Sequence, residues 1–343
     1  MLQHPHFLLS LSLLLLGCKG HTSASSESKS SGTESQSGGS DVGGSDDGGS
    51  DDGGSDDDGA TGEVETLADL RYPLPSGVDD STATLDLFRL DDGLARPLVV
   101  LIHGGSWVGG DKSNFADAAP DFVPFWIKQG FTVAALNFRL ATPVGTPREV
   151  GPLEQAHDIA HAITWLAAEG EALGISEDPV IAVGYSSGAH LVALLGADGH
   201  ILTDAGATAD ILRATVSLDV HAYDVPYALE LMVDSDVEEN IPLMEHLFGT
   251  TETEQLAGSP IAFVDSPTAP ALLVSVGPRA EVGSHGDIVA RTAEHYATAL
   301  LAAGHDVQTF HDEAETHTSL AVGFGDPDDP TTAAVEAFLS GLP

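Results

Sequence analysis

Two short stretches carry residue types able to do acyl-transfer chemistry. The apolar run Val180-Ile-Ala-Val183 meets Gly184-Tyr185-Ser186-Ser187-Gly188, and Ala189, His190 and Leu191 then begin a helical pattern. A strand therefore turns sharply into a helix with a serine at the bend, the Gly-x-Ser-x-Gly arrangement. The glycines have a mechanical reason. A serine on so tight a turn takes a strained backbone conformation, and neighbours without a Cβ relieve the crowding. Ser186 Oγ would stand exposed above the sheet, at the helix N-terminus, placed to act as a nucleophile. A Gly/Ser-rich turn without chemistry could show the same five residues, so the second stretch matters. It is His103-Gly104-Gly105-Ser106-Trp107, directly after the continuous apolar run Leu98-Val-Val-Leu-Ile102. Glycines there let backbone N–H groups point at a carbonyl oxygen as it becomes negative, and one such donor is worth about 3 to 4 kcal/mol to a transition state. The candidate oxyanion donors are the N–H groups of Gly104, Gly105 and Ser187.

The elements that must hold these stretches follow from periodicity. Residues 82–90 alternate polar and apolar as an outer strand does, and Asp91-Asp92-Gly93 supplies a turn. Residues 98–102 are apolar throughout, as expected of a central strand covered on both faces. Residues 131–140, 214–218, 271–276 and 307–310 read as further strands. Leu153, Ala156, Ile159, Ala160, Ile163 and Leu166 recur at helical spacing, with His157, Asp158 and His161 on the same helix as structural or surface groups. Residues 293–303 form another helix that stops at Gly304. Strands alternating with helices predict a mostly parallel sheet with crossover helices on both faces. Residues 221–258, with Tyr223, Tyr227, Met232, Met244 and Phe248, suggest a small helical cap bordering a pocket, or plain connecting helices.

Composition divides the chain of 343 residues into two regimes. Residues 7–16 are an apolar run too short to span a bilayer and of the length of a signal-peptide core. The run ends in Leu15-Leu16-Gly17-Cys18, which resembles the bacterial lipobox, and Cys18 is the single cysteine. The expected organisation is a lipoprotein signal peptide over 1–17, then a lipidated Cys18 with a Gly/Ser/Asp linker through 62, then a catalytic domain over 63–343. The region before Phe7 has His4 and His6 but no Lys or Arg, a departure from the usual signal. The linker repeats a Gly-Gly-Ser-Asp-Asp unit, cannot bury apolar surface, and as a Gly-rich coil would reach on the order of 35 Å. This predicts a bacterial envelope lipoprotein facing periplasm or exterior, touching membrane only through its N-terminal lipid. The formal charge is −41, and the linker accounts for a minor share of it. So acidic a chain repels nucleic acid, which excludes a phosphate-tracking role.

As an ordered set, several pieces resemble α/β-hydrolase carboxylesterases. The likeness is to the bacterial branch with feruloyl/acetyl-xylan esterase-like and hormone-sensitive-lipase-like enzymes, and the chain is also similar to kynurenine formamidases. The matching pieces are His103-Gly-Gly-Ser-Trp107 with Gly110-Asp-Lys112, Asn137-Phe-Arg-Leu140, Asp158 with Ala162-Ile-Thr-Trp-Leu166, the elbow through Leu191, Ser259-Pro-Ile261, and Thr316-His317. They run over roughly residues 85 to 340. The resemblance implies a Ser-acid-His triad in that chain order, with His317 as the histidine; His305 and His311 are the alternatives. It places the acid after the strand 271–276, where Glu281 in Gly277-Pro-Arg-Ala-Glu281 is favoured and Asp287 is the rival. The implied activity is hydrolysis of a small-molecule carboxylic ester through an acyl-enzyme, with no cofactor and no metal. An arylformamidase or other amide hydrolase would use the same parts, and a tethered binding module without activity is the alternative from another class. The sequence leaves the oligomeric state open.

Overall fold

Apolar runs bounded by glycine, proline and charge become the strands of one sheet. The computed structural model describes residues 62–208, 210–266 and 269–342. The signal segment expected over 1–17, the expected lipidation site Cys18 and all but the last residue of the expected linker lie outside the described residues. The strands are β1 (Val64–Arg71), β2 (Thr84–Leu90), β3 (Leu98–Ile102), β4 (Thr132–Leu136), β5 (Val180–Tyr185), β6 (Leu212–Leu218), β7 (Ala271–Val276) and β8 (Val307–Asp312). They lie in the order β1-β2-β4-β3-β5-β6-β7-β8. β1 with β2 and β2 with β4 are antiparallel, and every later pairing is parallel.

Every residue of β3 and β4 is buried, because both faces of the sheet are covered. Leu98, Val100 and Ile102 join one core with the helices Pro152–Ala168, Ser187–Ala197 and His285–Ala302. Val99 and Leu101, pointing the other way, join a second core with Phe122 and Trp126, Phe324 and Phe338. That two-sided burial is why the central strands read as unbroken apolar runs. The helix Pro152–Ala168 opens as its sequence suggests. Pro152 takes the first position, and Glu154 accepts a hydrogen bond from the Gly151 N–H at 2.8 Å. Its face of Ala156, Ile159, Ala160, Ile163 and Leu166 is wholly buried.

Three departures from the sequence pattern have physical causes. β1 was not anticipated: it is an edge strand with an exposed face, so it carries little apolar signal. The run 131–140 stops being strand at Leu136 because side-chain contacts take over. Asn137 Oδ1 accepts from Lys112 N at 2.7 Å, and Arg139 forms a two-pronged ion pair with buried Asp158. The helix expected over 293–303 begins eight residues earlier, at His285, because Ser284 caps it by accepting from Asp287 N. Between β6 and β7 the segment 221–258 contains the helices Val225–Met232, Ile241–Phe248 and Glu252–Ala257. No helix among the described residues is long and apolar enough to cross a membrane.

Candidate active site

Ser186 sits at the C-terminal end of β5 with φ 56° and ψ −123°, outside the regions that residues with a Cβ prefer. Its N–H donates to Leu218 O at 2.9 Å, which ties the bend to the end of β6. A Cβ on Gly184 would lie 2.1 Å from Gly188 O, and one on Gly188 would lie 2.1 Å from Ile102 O. Both contacts are impossible, so only glycine lets the elbow close. The contact with Ile102 has a second effect: it presses the elbow helix onto the end of β3 and brings the His103-Gly-Gly loop beside the serine. A Cβ on Gly104 would meet Ser186 Cβ at 2.9 Å. Gly105 follows with φ 130°. Ser187 opens the helix Ser187–Ala197, where a first-turn N–H has no intrahelical acceptor. Gly104 and Ser187 thus flank the nucleophile, and Gly105 is the next residue of the same loop.

His317 opens the helix His317–Gly323 after β8 and reaches Ser186: its Nε2 is 3.1 Å from Ser186 Oγ. Tyr185 orients it. The Tyr185 hydroxyl donates to His317 O at 2.6 Å, and the two rings stack with centroids 4.8 Å apart. The two other histidines considered are committed elsewhere. His305 Nε2 donates to Val264 O at 2.7 Å, and His311 Nδ1 shares a hydrogen bond with Ser275 Oγ at 2.9 Å.

The carboxylate beside His317 is neither Glu281 nor Asp287; it is Asp219. His317 Nδ1 lies 2.5 Å from Asp219 Oδ2. Glu281 is exposed on the loop after β7. Asp287 stands in the first turn of its helix, where it accepts from Gly283 N at 3.0 Å and meets Arg291 at 3.5 Å. Neither carboxylate of the stretch after β7 is bonded to the histidine. That stretch folds back so tightly that a Cβ on Gly286 would lie 2.4 Å from the Gly277 carbonyl carbon. Asp219 occupies the corresponding place one strand nearer the serine, at the end of β6, with φ 59°. It is fully buried, and Val276 N donates to its Oδ1 at 3.0 Å. A second imidazole, His285 Nε2, lies 2.8 Å from the same Oδ2. Burial opposes ionisation of Asp219, but the hydrogen bonds of His285 and His317 outweigh it and hold the carboxyl well below the usual range. Burial likewise opposes a charge on His285, yet its bond to Asp219 raises it.

Sequence reasoning missed Asp219 and His285. The signal for Asp219 was its position directly after a strand adjacent to the serine strand, where functional groups of open α/β sheets gather. Asp219, His285 and His317 also offer ligand atoms within 4.8 Å of one another. Their contacts of 2.5 and 2.8 Å are shorter than the about 3.3 Å that tetrahedral zinc ligands keep, so they fit shared protons better than a shared cation.

Behind the glycine loop is a neutral, hydrogen-bonded support. Trp107 Nε1 donates to His190 Nδ1 at 3.2 Å, and His190 Nε2 donates to Gly258 O at 2.8 Å. Burial pushes His190 down to about 4, so it stays uncharged and can accept from the indole. Phe248, at the end of the helix Ile241–Phe248, packs edge-on to both Trp107 and His190. Gln155 donates to Trp107 O at 2.7 Å and to Arg139 O at 2.9 Å. Loop, elbow helix and the segment after β6 therefore brace one another.

A family model described as BD-FAE matches residues 85–277, more than half of the chain. Among curated proteins, Esterase LipC of Mycobacterium tuberculosis is 30% identical over 120 residues, which are 34% of this chain and 28% of LipC. The non-reducing polyketide synthase ausA of Aspergillus calidoustus is 29% identical over 139 residues, 38% of this chain and 5% of the synthase. The chain therefore spans under a third of the length of these relatives. Among solved structures, esterase B from Lactobacillus rhamnosis superposes with a TM-score of 0.61 at 18% identity, covering 81% of this chain and 84% of that one. A fungal esterase from Rhizomucor miehei gives 0.60 at 19% identity, covering 83% and 85%. At such identities the likeness establishes the fold, an α/β-hydrolase sheet with helices on both faces.

Proposed function

The chain belongs to the BD-FAE family of esterase-like α/β-hydrolases, and on that premise we propose that it is a serine carboxylesterase working through Ser186, His317 and Asp219. His317 Nε2 takes the Ser186 proton as Oγ attacks the ester carbonyl. The oxyanion that forms is met by the N–H groups of Gly104, Gly105 and Ser187. Asp219 keeps the proton of His317 on Nδ1 and balances the imidazolium, which then protonates the departing alcohol. Water, activated by the same imidazole, attacks the acyl-enzyme and releases the acid. The protein's own groups carry every proton in this scheme, and a small-molecule ester is the partner it requires.

The observation that carries the proposal is one imidazole bridging Ser186 Oγ at 3.1 Å and a buried carboxylate at 2.5 Å. It is supported by the likeness to LipC, to the Lactobacillus protein and to the Rhizomucor proteins, each of which is named an esterase. The test is turnover of p-nitrophenyl acetate by wild type and S186A, with mass mapping of the adduct left by a serine-directed phosphonate. Turnover lost in S186A, with the adduct on Ser186, supports the esterase. Preferential turnover of N-formylkynurenine would replace it with an amide hydrolase, and no turnover of either by a folded protein would leave a binding module. We further propose that residues 1–17 direct export and that a lipid on Cys18 tethers the domain 63–343 to the bacterial envelope. Metabolic labelling with a radioactive fatty acid should mark wild type and not C18S; label on both would overturn the anchor.

A further inference from the structure

We infer that His285 is a positioning residue for the hydrolytic site: its Nε2–H holds the Asp219 carboxylate in the one orientation from which it can serve His317. The inference rests on the Ser186 hydrolase assignment and deepens it.

Among the described residues, no Lys or Arg pairs with Asp219; its ionisable partners are His285 and His317. Asp219 is fully buried, and its hydrogen bonds come from one backbone N–H and two imidazoles. A buried carboxylate needs its lone pairs met to remain an anion. Val276 N satisfies Oδ1, but Oδ2 receives both His317 and His285, at 2.5 and 2.8 Å. His317 cannot hold Asp219 still, because it is the group that must be held. Its Nδ1–H bond changes character each time the ring gains and loses the Ser186 proton. His285 supplies a donor that does not take part in that cycle. The two rings meet edge to face with centroids 5.2 Å apart, so His285 also limits where the His317 ring can swing.

The chain goes to some length to put an imidazole there. In the family that this sequence resembles, the loop after the seventh strand supplies the acid. Here that loop closes through the backbone contact of Gly277 with Gly286, and a helix starts at once with Ser284 as its cap and His285 as its first residue. Placement by the cap and the glycine contact fixes the His285 backbone, while its ring stays about a third exposed. In this structure the acid follows β6, and the stretch after β7 delivers a donor to it.

The experiment compares wild type, H285Q and H285F with S186A and D219N as controls, reading kcat and KM on p-nitrophenyl acetate and the melting temperature. Gln carries an N–H near the Nε2 position and cannot ionise. The expected result is that H285F loses about 10- to 100-fold in kcat with KM little changed, the scale of a mispositioned catalytic group, while H285Q stays close to wild type. Should H285F fail to fold, H285A takes its place, since truncating a ring this exposed leaves a gap open to water. Full activity of H285F or H285A, with S186A and D219N inactive, would overturn the role of His285 and leave the triad standing. Equal loss in H285Q and H285F would also overturn it, because a donor alone would not then suffice. Activity surviving in S186A would refute the hydrolase assignment itself.

Discussion

Replacing Asp219 by asparagine separates the charge of the carboxylate from its shape. Asp219 Oδ1 accepts from Val276 N at 3.0 Å, and Oδ2 accepts from His317 Nδ1 at 2.5 Å and from His285 Nε2 at 2.8 Å. Both oxygens face donors, so an amide must turn its NH2 toward one of them. With the NH2 toward His317, the ring has to present an unprotonated Nδ1 and keep its proton on Nε2, where it can no longer accept one from Ser186. With the NH2 toward Val276, a buried N–H loses its acceptor, at a cost of about 1 to 3 kcal/mol. In either orientation the anion opposite the imidazolium is gone. A pair of unit charges about 4 Å apart is worth about 4 kcal/mol at an effective dielectric near 20, or about three decades of rate. The tautomer penalty adds to this, and a triad carboxylate changed to its amide costs on the order of 10⁴ in kcat. We therefore expect D219N to lose three to four decades of kcat on p-nitrophenyl acetate while keeping its circular dichroism spectrum. E281Q and D287N should stay near wild type. D219N keeping more than about a tenth of wild-type kcat, or E281Q falling as far as D219N, would refute the assignment.

G188A should fail to accumulate as folded protein, because the new Cβ would lie 2.1 Å from Ile102 O and 2.7 Å from His103 O, both backbone atoms; a soluble, active G188A would contradict the closed elbow. S186G removes the Cβ from a residue held at φ 56° and should melt a few degrees above S186A, since such strain costs about 1 to 3 kcal/mol; equal melting temperatures would show that the bend is unstrained. Burial pushes His190 down to about 4, and burial, followed by the charge of His285, pushes His221 down to about 3. Both folded values lie below the ordinary histidine value of about 6.5, so the unfolded chain binds those protons first as pH falls. Their effect on stability is nil above about pH 6.5, grows as pH drops toward about 4 for His190 and about 3 for His221, and levels off below. Melting temperature against pH should fall over that window, and less steeply in H221F; parallel curves would refute this source of acid sensitivity. Asp219 has the opposite relation to pH. Held below the usual carboxylate range, it contributes stability above about pH 3.9 that is lost only as pH falls through its lower folded value.

The nucleophile was legible because everything it needs is local. A strand, two glycines and a helix start occupy consecutive residues, and the crowding that demands glycine at 184 and 188 arises from the bend they make. The oxyanion loop was legible for the same reason, whereas His317 came from the family resemblance, which places the histidine after the last strand. The central strands declared themselves through two-sided burial, whereas β1 and the early start of the helix at His285 did not, since an exposed edge and a serine cap leave faint patterns.

The acid was of another kind. In a chain with 53 acidic residues, Glu281, Asp287 and Asp219 are alike as letters, each following a strand of the sheet. Which of them meets the imidazole depends on β6 lying next to β5, on the backbone contact of Gly277 with Gly286, and on a cap that winds Asp287 into a helix. Short-range sterics are written along the chain and can be read there. The partner of a buried charge is chosen by strand order and loop path, which come into being only when the sheet packs.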